Sequence, residues 1–505
     1  MERARTIPDR KMLGLLQYPR ASIAVLALFV TAAGGLVVVG HWTAGAGLLL
    51  FGAVTAVALY WPSLALALFL GAAYLPDTLI NAAARPPVSV LQGQNSGTWG
   101  QPFAGLQLSD VVLLAMFAAT CLILVRLGRA AREPGANRRV PVTAWLPAVL
   151  FACWLFIEVV RNVSRYGASA PGEFRFQYLQ LAVVAYLCVT ARDAGIQRRL
   201  LWVMLVGTLF VPLALVPVIG AIKGWSVGPY SRFFPASVSL GIFYGAGALA
   251  LAKARKVVAL PTWLVAAIVG TAGVFLFLDG HRSVWMAAVA AVAIALLLRA
   301  FPRRAIRRDG VAIAAALCVS LAVSWVALVS LPVPAASSST ASANSSALSY
   351  VQARGTAYVD PSADADSSWR MAVWHSALHQ IRPVPVFGVG FGGYWDFPIP
   401  SISKFPVTTQ PHDVYLQTWL KTGGIGLLLY LASVAGTLLF VFRAWRRTRT
   451  SGSPVTTLLL AAGVATIISA SLFMVVYSFA YTSLLWAGLA LGAAATRAPE
   501  RLRGA

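Results

Sequence analysis

The sequence predicts an all-α polytopic membrane protein of about fourteen transmembrane helices (12–14), with a large loop module outside the membrane between the late helices. Three observations predict it. Hydrophobic residues make up 59% of the chain and charged residues only 11%, where a soluble domain carries roughly 25% charged residues. Apolar runs recur along the whole chain, and a hydrocarbon core about 30 Å thick needs roughly 20 such residues in a helix. The 40 Lys and Arg, set against 16 Asp and Glu for a net +24, fall mostly in alternate connections, as a membrane topology requires. This composition excludes a soluble enzyme, a disordered basic protein and a disulfide scaffold.

The runs lie near 21–40, 43–60, 62–75, 109–126, 143–160, 176–191, 200–220, 236–252, 258–278, 284–300, 311–331, 413–442, 455–477 and 479–496. The first follows Arg3, Arg5, Arg10, Lys11 and Arg20. It lacks a convincing cleavage site and leads straight into more apolar sequence, so it reads as a retained helix and not a signal peptide. The second and third are separated only by Trp61 and Pro62, and the third is short. Cys121, Cys153, Cys188 and Cys318 all lie inside apolar runs, which leaves no disulfide or zinc pattern.

Orientation follows from the basic residues. With a cytoplasmic N-terminus and alternation through fourteen spans, 28 of the 40 basic residues fall inside. They cluster at the N-terminus, 126–139, 192–199, 253–256, 299–308, 443–449 and 497–503. Every inner connection is basic, and a miscounted helix would invert the pattern downstream. The outer face is nearly neutral. The positive balance is therefore a topology signal, with membrane lipids as neighbours and no nucleic-acid partner.

The chain divides into 1–331, helices 1–11 with an outer loop near 76–108; 332–412, the large outer loop; and 413–505, helices 12–14 with a cytoplasmic C-terminus. The large loop opens with a Ser/Ala stretch, flexible over 335–348. From about 360 to 412 it reads as an ordered helical module. Met371, Trp374, Leu378 and Ile381 are spaced three, four and three apart, one face of a helix. Ser367 or Ser368 is placed to cap it and Pro383 to stop it.

A few polar residues at the outer face could carry chemistry. Arg282 follows Asp279, Gly280 and His281 between two apolar spans, Arg370 sits on the loop helix, and His412 directly precedes the twelfth span. Taken singly, each has an ordinary reading: a snorkelling arginine, a solvent-facing arginine, a structural histidine. Taken together, two arginines and a histidine suit binding of a diphosphate beside a general base. Arg175 and Arg232 head outer segments and could join an anion site or snorkel. Gly388, Gly390 and Gly393 match GxGxxG without strand–helix context, so they read as a tight turn. His375 and His379 are four apart, yet no acidic or cysteine partner is nearby in sequence, so no metal site is predicted. Glu158 and Arg161 form an i,i+3 pair near a helix end.

Three segments then carry a resemblance. Asp279-Gly280-His281-Arg282-Ser283-Val284-Trp285 places an arginine at the start of a span. Arg370, Trp374, Ala377 and Leu378 precede Gly388-Val389-Gly390-Phe391-Gly392 in the large loop. His412-Asp413-Val414-Tyr415-Leu416-Gln417 runs into Lys421-Thr422-Gly423-Gly424-Ile425-Gly426. In these segments, within residues 279–426, the chain resembles the bacterial O-antigen ligase and O-antigen polymerase superfamily of membrane glycosyltransferases. It departs in having His281 where Ser is frequent, Asp413 where Asn or Ser is frequent, and no Asn in the 230–239 segment.

The resemblance implies a GT-C-like fold in the bacterial cytoplasmic membrane with its active site on the outer face. It implies transfer of a glycan from undecaprenyl diphosphate to a sugar hydroxyl, by an O-antigen or exopolysaccharide polymerase or an O-antigen ligase. The acceptor would be a lipid-linked or lipid A-core glycan, and polysaccharide assembly proteins would be partners. No cofactor and no metal is expected. His412 is expected to be the general base and Arg282 and Arg370 the diphosphate clamp. Arg232, Arg175, Trp374, Asp413, Tyr415 and His281 are expected to bind substrate. The alternative is a lipid-linked oligosaccharide flippase or other transporter. A transporter places ionisable residues near the bilayer midplane, where this sequence is almost wholly apolar.

Overall fold

The computed structural model describes residues 32, 42–69, 108–130, 142–167, 170, 181–190, 194–210, 236–278, 282–298, 300–301, 303–330, 365–392, 411–449, 454–473, 475, 488–489 and 491–492. Among these the regular structure is entirely helical. In hydrocarbon every backbone polar group needs an internal partner, which a helix supplies within one segment. The helices are α1 (Trp42–Tyr60), α2 (Leu108–Ala130), α3 (Val142–Tyr166), α4 (Leu181–Thr190), α5 (Ala194–Leu205, followed by a π-turn Val206–Phe210) and α6 (Ala236–Ala254). They continue with α7 (Thr262–Leu278), α8 (Arg282–Leu297), α9 (Arg303–Ser330), α10 (Ala365–Ile381), α11 (Val414–Thr448) and α12 (Pro454–Phe473).

Four of these hold segments long and apolar enough to cross a membrane: Leu146–Tyr166, Asp309–Ala327, Val414–Thr448 and Pro454–Phe473. The chain is a multi-pass membrane protein. Shorter apolar helices occupy Gly45–Tyr60, Val111–Ile123, Ser239–Ala254, Thr262–Leu278 and Ser283–Leu297. The expected runs at 21–40 and 479–496 lie almost wholly outside the described residues. At the junction of the second and third runs, Trp61 N–H bonds to Val57 O (2.7 Å) and Ala65 N–H to Trp61 O (3.0 Å), so α1 closes on Trp61 and a further helical stretch, residues 62–69, starts from it. Pro62 opens the second stretch, where its missing N–H costs nothing.

α12 is the central helix. Its most apolar stretch is 67% buried, against 11% for α9, and α8, α11, α5 and α6 all pack on it. Small residues set the close contacts. α7 and α9 meet where Ser320 Oγ reaches Gly270 O at 2.5 Å and Ala316 O at 2.6 Å. Small residues let helix backbones approach where lipid offers no hydrophobic drive for association. α3 and α9 turn large apolar side chains outward, among them Phe156, Val160, Val319 and Trp325.

Two contacts orient the site-bearing helices. α8 and α11 meet in a groove lined by Leu297, Leu298, Phe442, Trp445, Arg446 and Arg449, which joins their C-terminal ends. At the other end of α11, Tyr415 donates to Ser471 O near the C-terminus of α12 (2.8 Å). The N-terminus of α8, which is Arg282, therefore points away from the groove, as the N-terminus of α11 does.

Candidate active site

The site is built on a break in α11. Asp413 caps the helix from an extended conformation (φ −141°, ψ 121°), its Oδ1 accepting from Leu416 N at 2.7 Å. Ten residues on, Gly423 leaves helical geometry (φ 69°, ψ −177°). The break strips the usual i→i−4 partners from Leu420 O, Gly424 N and Ile425 N, and a crossing segment, residues 385–389, replaces them. Val389 N donates to Leu420 O (2.7 Å), Gly424 N to Pro385 O (2.8 Å) and Ile425 N to Val386 O (3.5 Å). Indole N–H groups complete the accounting: Trp154 donates to Thr422 O and Trp419 to Pro385 O, both at 3.0 Å. Non-helical backbone in a span survives only when its polar groups are satisfied in this way.

The crossing segment belongs to the glycine-rich turn. Gly388, Gly390 and Gly392 have φ of 67°, 91° and 78°, so the first two glycines of the GxGxxG match sit in a turn, while its third, Gly393, lies outside the described residues. A Cβ on Gly390 would stand 2.0 Å from Asn162 Oδ1. The spacing serves contact with α3 and not a phosphate.

α10 lies against the N-terminal half of α11. Val373, Ala377 and Ile381 pack on Leu420 with Trp374, Val389, Leu416 and Trp419 around them. The buried face is thus Val373–Ala377–Ile381. Of the four apolar residues at helical spacing, Trp374 and Ile381 join this packing, while Met371 and Leu378 are exposed at 42% and 39%. Ala377, the smallest residue of the buried face, lies at its centre. The helix begins at Ala365, so Ser367 and Ser368 lie inside it and do not cap it. It ends at Ile381, two residues before Pro383, as expected.

This packing fixes His412. Trp374 Nε1 donates to Pro411 O at 2.9 Å, so a side chain one turn from Arg370 holds the residue before the histidine. His412 itself has φ 53° and is half-buried. A non-glycine residue in the left-handed region is uncommon and tends to mark functional sites. Arg370 is half-buried on the same helix as Trp374. Tyr415 stands edge-on to Tyr430 (6.1 Å). Arg282 opens α8, but its side chain, like Arg175, Arg232 and His281, lies outside the described residues. Among those described, no three His, Cys, Asp or Glu side chains gather as metal ligands, and His375 and His379 are both exposed.

Burial pushes the Asp413 carboxyl up to about 6, although the Leu416 and Tyr415 N–H groups favour its charged form. The folded state then holds this proton more tightly than the unfolded chain. The group costs nothing below about pH 4, and its full cost is reached above about pH 6, so stability falls as pH rises through that window. Asp413→Asn keeps the capping oxygen and removes the titration. The decline in thermal midpoint between pH 4 and 6 should flatten in this variant, and an unchanged slope would rule out Asp413 as its source.

A second anchor comes from α3 and was legible only in part. The expected Glu158–Arg161 pair is present at 2.8 Å. Arg161 also donates to Phe387 O (3.1 Å) and lies over the Phe387 ring (5.6 Å), which stacks on Trp154 (6.0 Å). Tyr166 donates to Val389 O at 3.3 Å. Trp154, Glu158, Arg161, Asn162 and Tyr166 thus form one face that clamps the glycine turn. Their spacing by three and four residues in an otherwise apolar span was the available signal. Glu158 is fully buried, so Arg161→Ala strands its carboxylate. With Arg161 partly exposed, the expected loss is about 1–2 kcal/mol. Adding Glu158→Gln to that variant should recover part of it, and a cycle of thermal midpoints with no coupling would contradict the clamp.

The site thus joins a broken late helix, a helix docked on it and a left-handed histidine at the junction of the two. Residues 266–431 match the family model described as O-antigen ligase, and this segment contains Arg282, Arg370 and His412. Over this third of the chain the match supports a likeness to the O-antigen ligase and polymerase superfamily, and the apolar helices fit a multi-pass protein of the bacterial inner membrane. No curated protein matches the chain. The α3 clamp lies outside the matched segment.

Proposed function

We propose that the protein transfers a glycan from a polyprenyl diphosphate, undecaprenyl diphosphate in bacteria, to a sugar hydroxyl on the outer face of the membrane. The observation that carries the reading is His412 held in a left-handed conformation beside the α10 that bears Arg370, within the family-matched segment. The acceptor oxygen attacks the anomeric carbon while the bond from that carbon to the diphosphate oxygen breaks. His412 takes the hydroxyl proton. The diphosphate leaves as an anion and needs charge stabilisation more than protonation. Two guanidinium forks, Arg282 and Arg370, supply it bidentately, so the step needs no metal in this reading. Tyr415, Asp413 and Trp374 shape the acceptor side, and His281, Arg232 and Arg175 extend the donor side.

Arginine to lysine at 282 or 370 keeps the charge but loses the fork. Either variant should retain only a small fraction of transfer, and wild-type activity would remove that arginine from the clamp. The reading as a whole is tested by deleting the gene and analysing lipid-linked glycans. Accumulated single repeat units identify a polymerase, and accumulated long lipid-linked chains identify a ligase. Lipid-linked material trapped on the inner leaflet would overturn the reading in favour of a flippase.

A further inference from the structure

The groove between the C-terminal ends of α8 and α11 lies at the opposite end of α11 from His412 and has a composition of its own. Its lining is Leu297 and Leu298 from the end of α8 and Phe442, Trp445, Arg446 and Arg449 from the end of α11. Leu297 is 81% exposed. In water that would be an unfavourable leucine, but it flanks two apolar helices, where a lipid chain covers it. Arg446 and Arg449 are exposed and one turn apart. α11 is 35 residues long, about 52 Å at 1.5 Å per residue. This exceeds the hydrocarbon core, so its terminal arginines reach the headgroup layer.

Two features mark the groove as more than a basic helix end. Arg449 lies 5.6 Å from the Trp445 ring centroid, and that ring stacks on Phe442 at 5.6 Å. The guanidinium is therefore held over the groove floor. Trp445 is only 4% exposed, so its ring is a fixed support for that guanidinium. The lining contains no acidic residue.

We propose that this groove binds a phosphate-bearing membrane lipid. Its phosphate sits between Arg446 and Arg449, and its chain lies along Leu297, Leu298 and Phe442. The chemistry is shared by anionic phospholipids and by a polyprenyl monophosphate, and it does not depend on the glycosyl-transfer reading.

The test uses the purified full chain in a neutral detergent, with lipid binding followed by native mass spectrometry. Phosphatidylglycerol, phosphatidylcholine and a polyprenyl monophosphate are titrated separately. Phosphatidylglycerol should bind in preference to zwitterionic phosphatidylcholine, and equal binding of the two overturns the proposal. Arg446→Ala with Arg449→Ala should weaken phosphatidylglycerol roughly 10- to 30-fold, since each basic group at an anionic surface contributes about a factor of five. Arg443→Ala with Arg447→Ala removes the same charge from residues outside the lining and should weaken it little. If the two pairs weaken binding equally, the attraction is diffuse and the groove is not a site. Trp445→Ala removes the ring beneath Arg449 and should weaken binding severalfold. Unchanged binding in the Arg446/Arg449 pair overturns the assignment. Tighter binding of the polyprenyl monophosphate than of phosphatidylglycerol identifies the carrier lipid as the source, and the reverse order a bulk phospholipid.

Discussion

Alanine at His412 is expected to lower glycan transfer by about 10²–10⁴-fold, the contribution of a positioned general base. Loss of base chemistry must be separated from loss of shape, because His412 has φ 53°. Alanine is strained in the left-handed region by roughly 1–2 kcal/mol, so some loss could come from a displaced α11 entrance. His412→Asn resolves this. Asparagine adopts the left-handed region readily and carries no group basic enough to take the hydroxyl proton. Both variants should be inactive while donor binding is retained, and His412→Asn should match the wild-type thermal midpoint more closely than His412→Ala. Transfer by His412→Asn at the wild-type rate would sink the base role. It would leave His412 as a conformational residue whose left-handed turn sets the approach of α10.

The parts of this fold that were legible in the sequence are those governed by local physics. Apolar runs became helices because hydrocarbon leaves the backbone no other partner, and the glycine turn at 388–392 follows from residues that tolerate positive φ. The helix at 365–381 was legible from spacing, but its inward face only in part. Of the four apolar residues at helical spacing, Trp374 and Ile381 do pack beside Leu420, whereas Val373 and Ala377 stand there in place of Met371 and Leu378. That choice is made by the neighbouring helix and leaves no trace in the pattern of α10. The same limit hid the break in α11. Lys421 to Gly426 reads as the glycine-rich stretch of an apolar span, and what interrupts it is a segment more than thirty residues upstream. His412 and Arg370 stood out because polar residues are scarce at the ends of spans. The link between them, Trp374 to Pro411, is a single side-chain hydrogen bond between segments far apart in sequence.

The largest structural effect is expected at Gly423. Its φ of 69° lies where a side chain is strained, and its surroundings forbid one on separate grounds. A Cβ there would stand 1.9 Å from Val386 O and 2.5 Å from Phe387 N. Both are backbone atoms of the crossing segment, and neither can swing aside like the end of a flexible side chain. Gly423→Ala must therefore expel residues 385–389 or straighten α11. Expulsion strands Leu420 O, Gly424 N and Ile425 N without their partners, each at about 1–3 kcal/mol when buried. Straightening restores the helical bonds but removes the seat of the crossing segment, and with it the Arg161 and Trp154 contacts. Either route should destabilise the fold by at least about 3 kcal/mol and abolish transfer, because α10 and His412 are positioned by the same junction. Gly424→Ala is the matched control. Its nearest obstacle, Pro385 O, is 3.3 Å from the new Cβ, and its φ is not positive, so a few tenths of an ångström of movement relieves the contact. In thermal unfolding of the purified protein, Gly423→Ala should fall far below Gly424→Ala. Equal midpoints would mean that the crossing segment does not depend on the break in α11.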